Sequence, residues 1–371
     1  SDVYADSPYN SKIIGYFKLT YPDGGEDFVV NTPCTITWDH AGSGSTHVKL
    51  EIPSNNFTNS TIINASTPND GIYNEVEWRI PDMISDTVQI RVSDASDPDA
   101  FNISGYFKIR GAFNVSSPKD GDRFPIGYPM NITWNTTGSI NAVKIIAYST
   151  KENDPRFNYT VENPYVINES YPNVGNGETT YTWIVPDNAT NYTRIRIIDV
   201  NDNTTYADSS GNFSMIGSFT VIYPNGGETL FVGDICDIIW NHTGSSITEA
   251  KITYSLNNTS GPWISISEDY GTPNDGIVAN NGTINWIVPD NITSNYTVYL
   301  KIEDPYDSSV NDTSDSGFKI RGNFTIITPA GGERWVVFEN NHTINWTTIG
   351  TIPYVDLYYF KDDNISTKQL I

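Results

Sequence analysis

The sequence predicts an all-β protein built of tandem Ig-like β-sandwich domains arranged as a rod. Three observations carry this: one module is written three and a half times, its apolar residues alternate with period two, and turn signals separate about seven short strands per hundred residues. Each module opens with Gly, Phe and an apolar strand running into a Pro-x-Gly-Gly-Glu turn. The copies are Gly15-Tyr16-Phe17 to Pro22–Glu26, Gly217-Ser218-Phe219 to Pro224–Glu228, and Gly322-Asn323-Phe324 to Pro329–Glu333, with a looser one at Pro118–Asp122. A buried-looking Trp follows each turn, at Trp38, Trp134, Trp240 and Trp346, spaced by 96, 106 and 106 residues. That spacing is the size of a domain, not of a short solenoid repeat. The expected boundaries are 15–110, 111–216 and 217–321 for three complete repeats and 322–371 for a partial fourth, with 1–14 the C-terminal strand of a preceding repeat.

Within a repeat the elements follow in order. Around the first Trp, Cys34/Ile36/Trp38 face one way and Thr35/Thr37 the other, a pattern repeated at Met130/Ile132/Trp134, Cys236/Ile238/Trp240 and His342/Ile344/Trp346. This is a half-buried strand. A strand around Val48-Leu50-Ile52 follows, and then turns such as Pro68-Asn69-Asp70-Gly71 and Pro273-Asn274-Asp275-Gly276. A second Trp strand ends in Pro-Asp: Val76/Trp78/Ile80 before Pro81-Asp82, Tyr181/Trp183/Val185 before Pro186-Asp187, Ile284/Trp286/Val288 before Pro289-Asp290. Proline cannot donate to a ladder, so it marks the strand's end. The third strand runs to Asp94, Asp199 and Asp304, with Arg91, Arg196 and Lys301 recurring on its outward face. No segment shows a helical period.

The junctions set the expected stiffness. Phe107–Phe113, Phe213–Phe219 and Phe318–Phe324 carry the last strand of one repeat into the first of the next without a Gly/Ser-rich or Pro-rich spacer. Flexible tethering needs such a spacer.

Composition narrows the function. Lys plus Arg number 21 against 44 Asp plus Glu, a formal charge of −23, which excludes nucleic acid as a partner. No run of 18 apolar residues spans a membrane, and the start lacks a basic n-region and apolar h-region. Cys34 and Cys236 occupy one site in two different repeats, on the order of 70–80 Å apart in an end-to-end stack. They read as buried small hydrophobes rather than a disulfide.

Asn-x-Ser/Thr occurs 24 times, about three times what 40 Asn and 72 Ser plus Thr give by chance. The first repeat holds Asn56, Asn59, Asn64 and Asn102; the second holds Asn114, Asn131, Asn135, Asn158, Asn168, Asn188, Asn191, Asn203 and Asn212. The third holds Asn241, Asn257, Asn258, Asn281, Asn291, Asn295 and Asn311, and the fourth Asn323, Asn341, Asn345 and Asn364. Sequons on strands, such as Asn114, Asn131 and Asn345, fall on the outward parity, where a glycan projects into solvent. Extensive N-glycosylation is expected, hence extracellular display, and the density points to an archaeal surface ahead of a eukaryotic one.

The Asp-rich loops after the third strands are the candidate cation sites: Asp94, Asp97 and Asp99; Asp199 and Asp202; Glu303, Asp304 and Asp307. Calcium takes several oxygen ligands, and such loops at a junction could stiffen it, although no Asp-x-Asp-x-Asp-Gly loop appears. The four histidines show no zinc spacing, and nucleophile-elbow and phosphate-loop motifs are absent. No catalytic residue is assigned, and no cofactor beyond possible calcium and covalent glycans. Lys49, Lys144 and Lys251 point outward, which disfavours a buried isopeptide crosslink.

The Pro-x-Gly-Gly-Glu turn, the Ile-x-Trp strand, the Trp-x-x-Pro-Asp strand and the Asp-rich stretch before Phe-Lys-Ile together resemble Ig-like repeats of microbial cell-surface proteins. They are similar to the Kre9/Knh1-type, Ser-Thr-rich surface-anchored repeat family. The resemblance covers nearly the whole chain and implies fold and location, with no catalytic residues to carry over. The expected function is a structural extracellular glycoprotein, a repeat unit of a cell-surface layer, stalk or filament. Its partners are then other copies in a fibre or layer, or further repeats of the same chain. An adhesin or carbohydrate-binding stalk is the alternative, with exposed aromatics such as Tyr16 and Tyr358 free to stack on sugars. The half repeat at 322–371 is expected to be a window on a longer array.

Overall fold

The computed structural model describes residues 12–53, 60–74, 78–266, 275–336, 338–339, 341–361 and 363–371. Val76, Pro273 and Asn274, and residues 1–11 of the expected leading strand, lie outside them. The described residues form strands and turns with no helix. By compactness the chain divides into two units, one of Ser1–Asp122, Pro129–Ile184 and Tyr192–Ser214, the other of Arg123–Tyr128, Val185–Asn191 and Met215–Ile371.

In the first unit, the first repeat pairs Tyr16–Tyr21, Ile36–Ala41 and Ile72–Tyr73 in one sheet. Its second layer holds Ser60–Pro68, His47–Pro53, Arg91–Asp94 and Phe101–Ile103, with Asp27–Val29, Phe107–Arg110 and Ser85–Val88 beside them. The second repeat lays Ala112–Ser117, Pro129–Thr137 and Glu178–Ile184 against a layer containing Tyr165–Pro172, Ala142–Ser149, Thr190–Asp199 and Tyr206–Asp208. In the second unit, Ser218–Tyr223, Ile235–Thr243 and Thr283–Ile287 face a layer built on Glu249–Ser255 and Tyr299–Asp304.

One register recurs throughout. The first strand runs antiparallel to the Trp strand with Leu19 opposite Trp38, Val115 opposite Trp134, Val221 opposite Trp240 and Ile326 opposite Trp346. The ladder bulges just beyond each of these pairs, and the chain leaves the sheet through the turn. Glu26 closes that turn by accepting the N–H groups of Asp23 (2.6 Å) and Gly24 (2.9 Å), as Glu228 and Glu333 do in their copies. The looser copy keeps one such bond, from Lys119 N to Asp122 (2.8 Å). Past the turn the chain joins the opposite layer, where Asp27–Val29 runs parallel to Phe107–Arg110, and Thr229–Phe231 to Lys319–Arg321.

Each core is centred on its first Trp: Trp38, Trp134 and Trp240 are 2%, 0% and 2% exposed. The indole N–H cannot be buried unpaired without cost. It donates to an asparagine carboxamide at 2.8 Å in all three repeats, from Trp38 to Asn69, Trp134 to Asn173 and Trp240 to Asn280. The same asparagines donate through Nδ2 to Ser45 O, Ile140 O and Ile247 O at 2.7–2.8 Å. A core residue of the first sheet is thereby tied to the linker that crosses to the second.

Trp346 does not follow the expectation of burial. It keeps the register with Ile326 but is 36% exposed. Among the described residues the fourth segment adds only the hairpin Tyr358–Lys361 with Asn364–Leu370, and Ile326 and Trp346 stay exposed on their sheet. Cys34 and Cys236 are buried free thiols, as expected, and burial pushes both up to about 12.

Replacing Asn280 by Ala leaves the Trp240 indole N–H and the Ile247 carbonyl unpaired, a loss of about 2–4 kcal/mol. Since the Cys236 thiol reacts only when the third repeat opens, Asn280→Ala is expected to accelerate its labelling about 30- to 1,000-fold in native buffer. An unchanged rate would show that the asparagine does not hold the core.

Candidate functional site

The Asp-rich loops divide into two roles. Asp94, Asp199 and Asp304 are buried, and each accepts the N–H two residues on, from Ser96 (2.7 Å), Asn201 (2.9 Å) and Tyr306 (2.9 Å). Asp94 also accepts the Ser45 hydroxyl. These carboxylates shape the turn that follows the third strand.

The aspartates three positions further on meet a cation from the preceding repeat. Lys12 Nζ lies 2.7 Å from Asp97 and 2.8 Å from Asp99, and Lys108 Nζ lies 2.7 Å from Asp202 and 3.0 Å from Thr204 Oγ1. Lys12 and Lys108 each stand three residues before a junction glycine, Gly15 and Gly111, whereas Ser214 holds that place before Gly217. At the next joint the cation comes instead from Arg123, whose guanidinium is 3.0 Å from Asp307. Glu303 belongs to neither group. It is buried on the outer side of its sheet, 2.7 Å from Lys301 and 3.5 Å from Lys251. Glu51 plays the matching part in the first repeat, with Lys49 and Arg91 as its partners. Arg91, Arg196 and Lys301 also lie over the rings of Phe101, Tyr206 and Trp263, at 4.4, 4.0 and 4.9 Å.

Among the described residues no group of three or more His, Cys, Asp or Glu is placed to hold a metal. The carboxylates of the second group already face Lys12, Lys108 and Arg123.

The joint ion pair perturbs both partners. Burial pushes Asp202 up, but bonds from Lys108, Thr204 and Thr205 outweigh it and hold the carboxyl well below the usual range. The bond to Asp202 raises Lys108, and burial raises neighbouring Asp199. At Asp307, burial is likewise outweighed by bonds from Ser309 and Arg123.

The sequon asparagines fall into a simple pattern. Asn56 and Asn59 lie outside the described residues, as does the side chain of Asn364. Of the other 21, fourteen are exposed, seven are half-buried and none is buried. Asn114, Asn131, Asn135, Asn158, Asn203, Asn241, Asn257, Asn258, Asn281, Asn295, Asn311, Asn323, Asn341 and Asn345 make up the exposed set. Among the half-buried ones, Asn102 accepts Leu19 N (2.9 Å), Asn212 accepts Arg194 Nε (3.1 Å) and Asn291 donates to the Tyr254 hydroxyl (2.8 Å). Asn64 and Asn168 each accept the N–H of their own sequon serine at 2.9 Å. Asn188 and Asn191 complete this group. The core-holding Asn69, Asn173 and Asn280 are not sequons. Sequence reasoning passed over them, although Asn-x-Gly recurs at 69–71, 173–175 and 280–282.

No family model matches the sequence, and no curated protein matches it. Among solved structures the chain is similar to the fibronectin(III)-like modules of Clostridium thermocellum CbhA, at 14% identity over 56% of this chain and 92% of that one, with a TM-score of 0.18. It is similar to a three-domain I-band fragment of titin at 9% identity, 84% and 100% coverage and a TM-score of 0.26. The N-terminal eight Ig domains of the Down syndrome cell adhesion molecule match at 13% identity, 95% and 47% coverage and a TM-score of 0.18. The Ig-like class itself rests on strand order and register. No helix among the described residues is long and apolar enough to cross a membrane, which says nothing of a β-barrel.

The joint pair has a testable acid dependence. Asp202 is depressed in the folded chain and near 3.9 when unfolded, so its stabilisation is complete above about pH 5 and lost as pH falls below about 4. A Lys108/Asp202 double-mutant cycle followed by thermal melting of the second repeat is expected to give a coupling of about 1 kcal/mol at pH 7 and low salt. The coupling should weaken progressively as pH falls below about 4 towards the depressed folded range of Asp202; one of undiminished size at about pH 2 would rule out the ion pair as its source.

Proposed function

We propose that the chain is a structural extracellular glycoprotein, a run of repeats from a cell-surface layer, stalk or filament. Its role is mechanical and non-catalytic: load passes along continuous last-to-first strands, and small Trp-centred cores resist it. Its partners are other copies of the chain or further repeats of the same array.

The observation that carries this reading is the division of labour among asparagines. Not one of the 21 sequon asparagines with a described environment is buried, while the three that hold the cores lie outside every sequon. The core-holding asparagines carry glycine, not Ser or Thr, two residues on, so modification of the sequons spares all three core bonds. Glycans on the accessible ones would leave the folded core untouched and would shield sheet edges from pairing with other chains.

Glycopeptide mapping of the protein from its native host tests the reading. Sugar is expected on most of the fourteen exposed sequon asparagines and on none of Asn69, Asn173 and Asn280. Uniformly bare asparagines would overturn it.

A further inference from the structure

We infer that the Pro-Asp loop closing each second Trp strand is the docking surface for the repeat that follows, with Asp82, Asp187 and Asp290 as its positioning residues. In all three cases the carboxylate of one repeat grips the first turn after the Trp strand of the next. Asp82 accepts Ser139 N at 2.9 Å and Ser139 Oγ at 2.6 Å. Asp187 accepts Ser245 N at 2.7 Å, and nearby Ala189 N donates to Ser246 Oγ at 2.8 Å. Asp290 accepts Thr351 N at 2.8 and 2.9 Å and Thr351 Oγ1 at 2.5 Å. At the first and third joints a side-chain hydroxyl and its own backbone N–H thus present two donors to one carboxylate, a charge-assisted arrangement that fixes direction as well as distance, and at the second the backbone N–H alone does so.

The receiving turn is shaped for this contact. The residue before each Ser or Thr is a glycine in the left-handed region, Gly138, Gly244 and Gly350, at φ 94°, 99° and 90°. A Cβ at Gly138 would lie 3.2 Å from Ile84 Cδ1, and one at Gly350 would lie 3.0 Å from Ile292 Cδ1. Both isoleucines stand two residues after the latching aspartate, so at the first and third joints Pro-Asp-x-Ile forms one half of the contact and Gly-Ser/Thr the other; at the second Ala189 holds that place and Ile126 lies nearest from outside the turn, 3.4 Å from a Cβ at Gly244. At the first joint Asn176 reinforces it, donating to Asp82 (2.9 Å) and accepting Gly138 N (2.6 Å). None of this requires glycosylation or a surface location; it is a property of the array.

The latch is testable apart from repeat stability. Cysteines replacing exposed Thr20 and Thr180 in the full chain carry spin labels on the first and second repeats, while buried Cys34 and Cys236 stay unlabelled. The native chain is expected to give one narrow distance distribution. Asp82→Ala should widen it at least twofold with the melting of both repeats unshifted. Asp82→Asn keeps an acceptor for Ser139 N and should recover most of the native width, and Ser139→Ala should widen it by a smaller factor. A distribution as narrow in Asp82→Ala as in the native chain would overturn the inference. So would a fall in the first repeat's own melting temperature, which would make Asp82 a core residue instead of a positioning one.

Discussion

The bond from a buried indole N–H to an asparagine carboxamide is the constraint on which the rest of each repeat depends. Through Nδ2 the same asparagine holds the linker that leaves the Trp strand, at Ser45, Ile140 and Ile247. That linker is also where neighbouring repeats meet. Gly111, at the junction, has no room for a side chain because a Cβ would lie 2.6 Å from both Thr137 O and Ile140 Cδ1. Ser139, between them, is what Asp82 grips. In the third repeat Gly217, Thr243, Ile247 and Ser245 stand in the same relation. Core, junction and latch adjoin one another within about five residues of one linker.

Electrostatics works against such an array. A chain of charge −23 repels itself, and a module interface would be a poor place to crowd carboxylates. Few cations are available, yet Lys12, Lys108 and Arg123 reach across to the aspartates of the next repeat. The exchange of Lys for Arg123, where Ser214 occupies the usual position, indicates that the charge at the joint matters more than the strand supplying it. Alongside this salt-sensitive pair stands the latch, whose donors are a backbone N–H and, at Ser139 and Thr351, a hydroxyl, and which ionic strength screens less.

Asparagine serves two incompatible ends here. In the core it needs both carboxamide atoms engaged and a glycine two residues on to make the turn. In a sequon it needs an accessible Nδ2 and a Ser or Thr two residues on. The residue at the second following position separates the two uses, which is why the classes do not overlap at Asn69, Asn173 and Asn280.

Repeat period, strand alternation, the two Trp strands and the burial of Cys34 and Cys236 were legible in the sequence, because each is a local pattern of apolar residues that only one side of a sandwich can satisfy. The outward parity of Asn114, Asn131 and Asn345 followed from the same two-residue period. What the Asp-rich loops do was not legible: residues such as Asp202 and Lys108 are 94 positions apart, and only the docking of two repeats decides that the carboxylate faces an ammonium group. The Pro-Asp motif read as the end of a strand, which it is after Glu178–Ile184 and Thr283–Ile287, while Pro81 follows only the isolated bridge of Arg79 with Pro33; its partner turn lies some 57 residues away at Ser139. Trp346 makes the same point in reverse. Its strand pattern is that of a core, yet burial is a property of two facing sheets, and a sequence period fixes only which face would be covered.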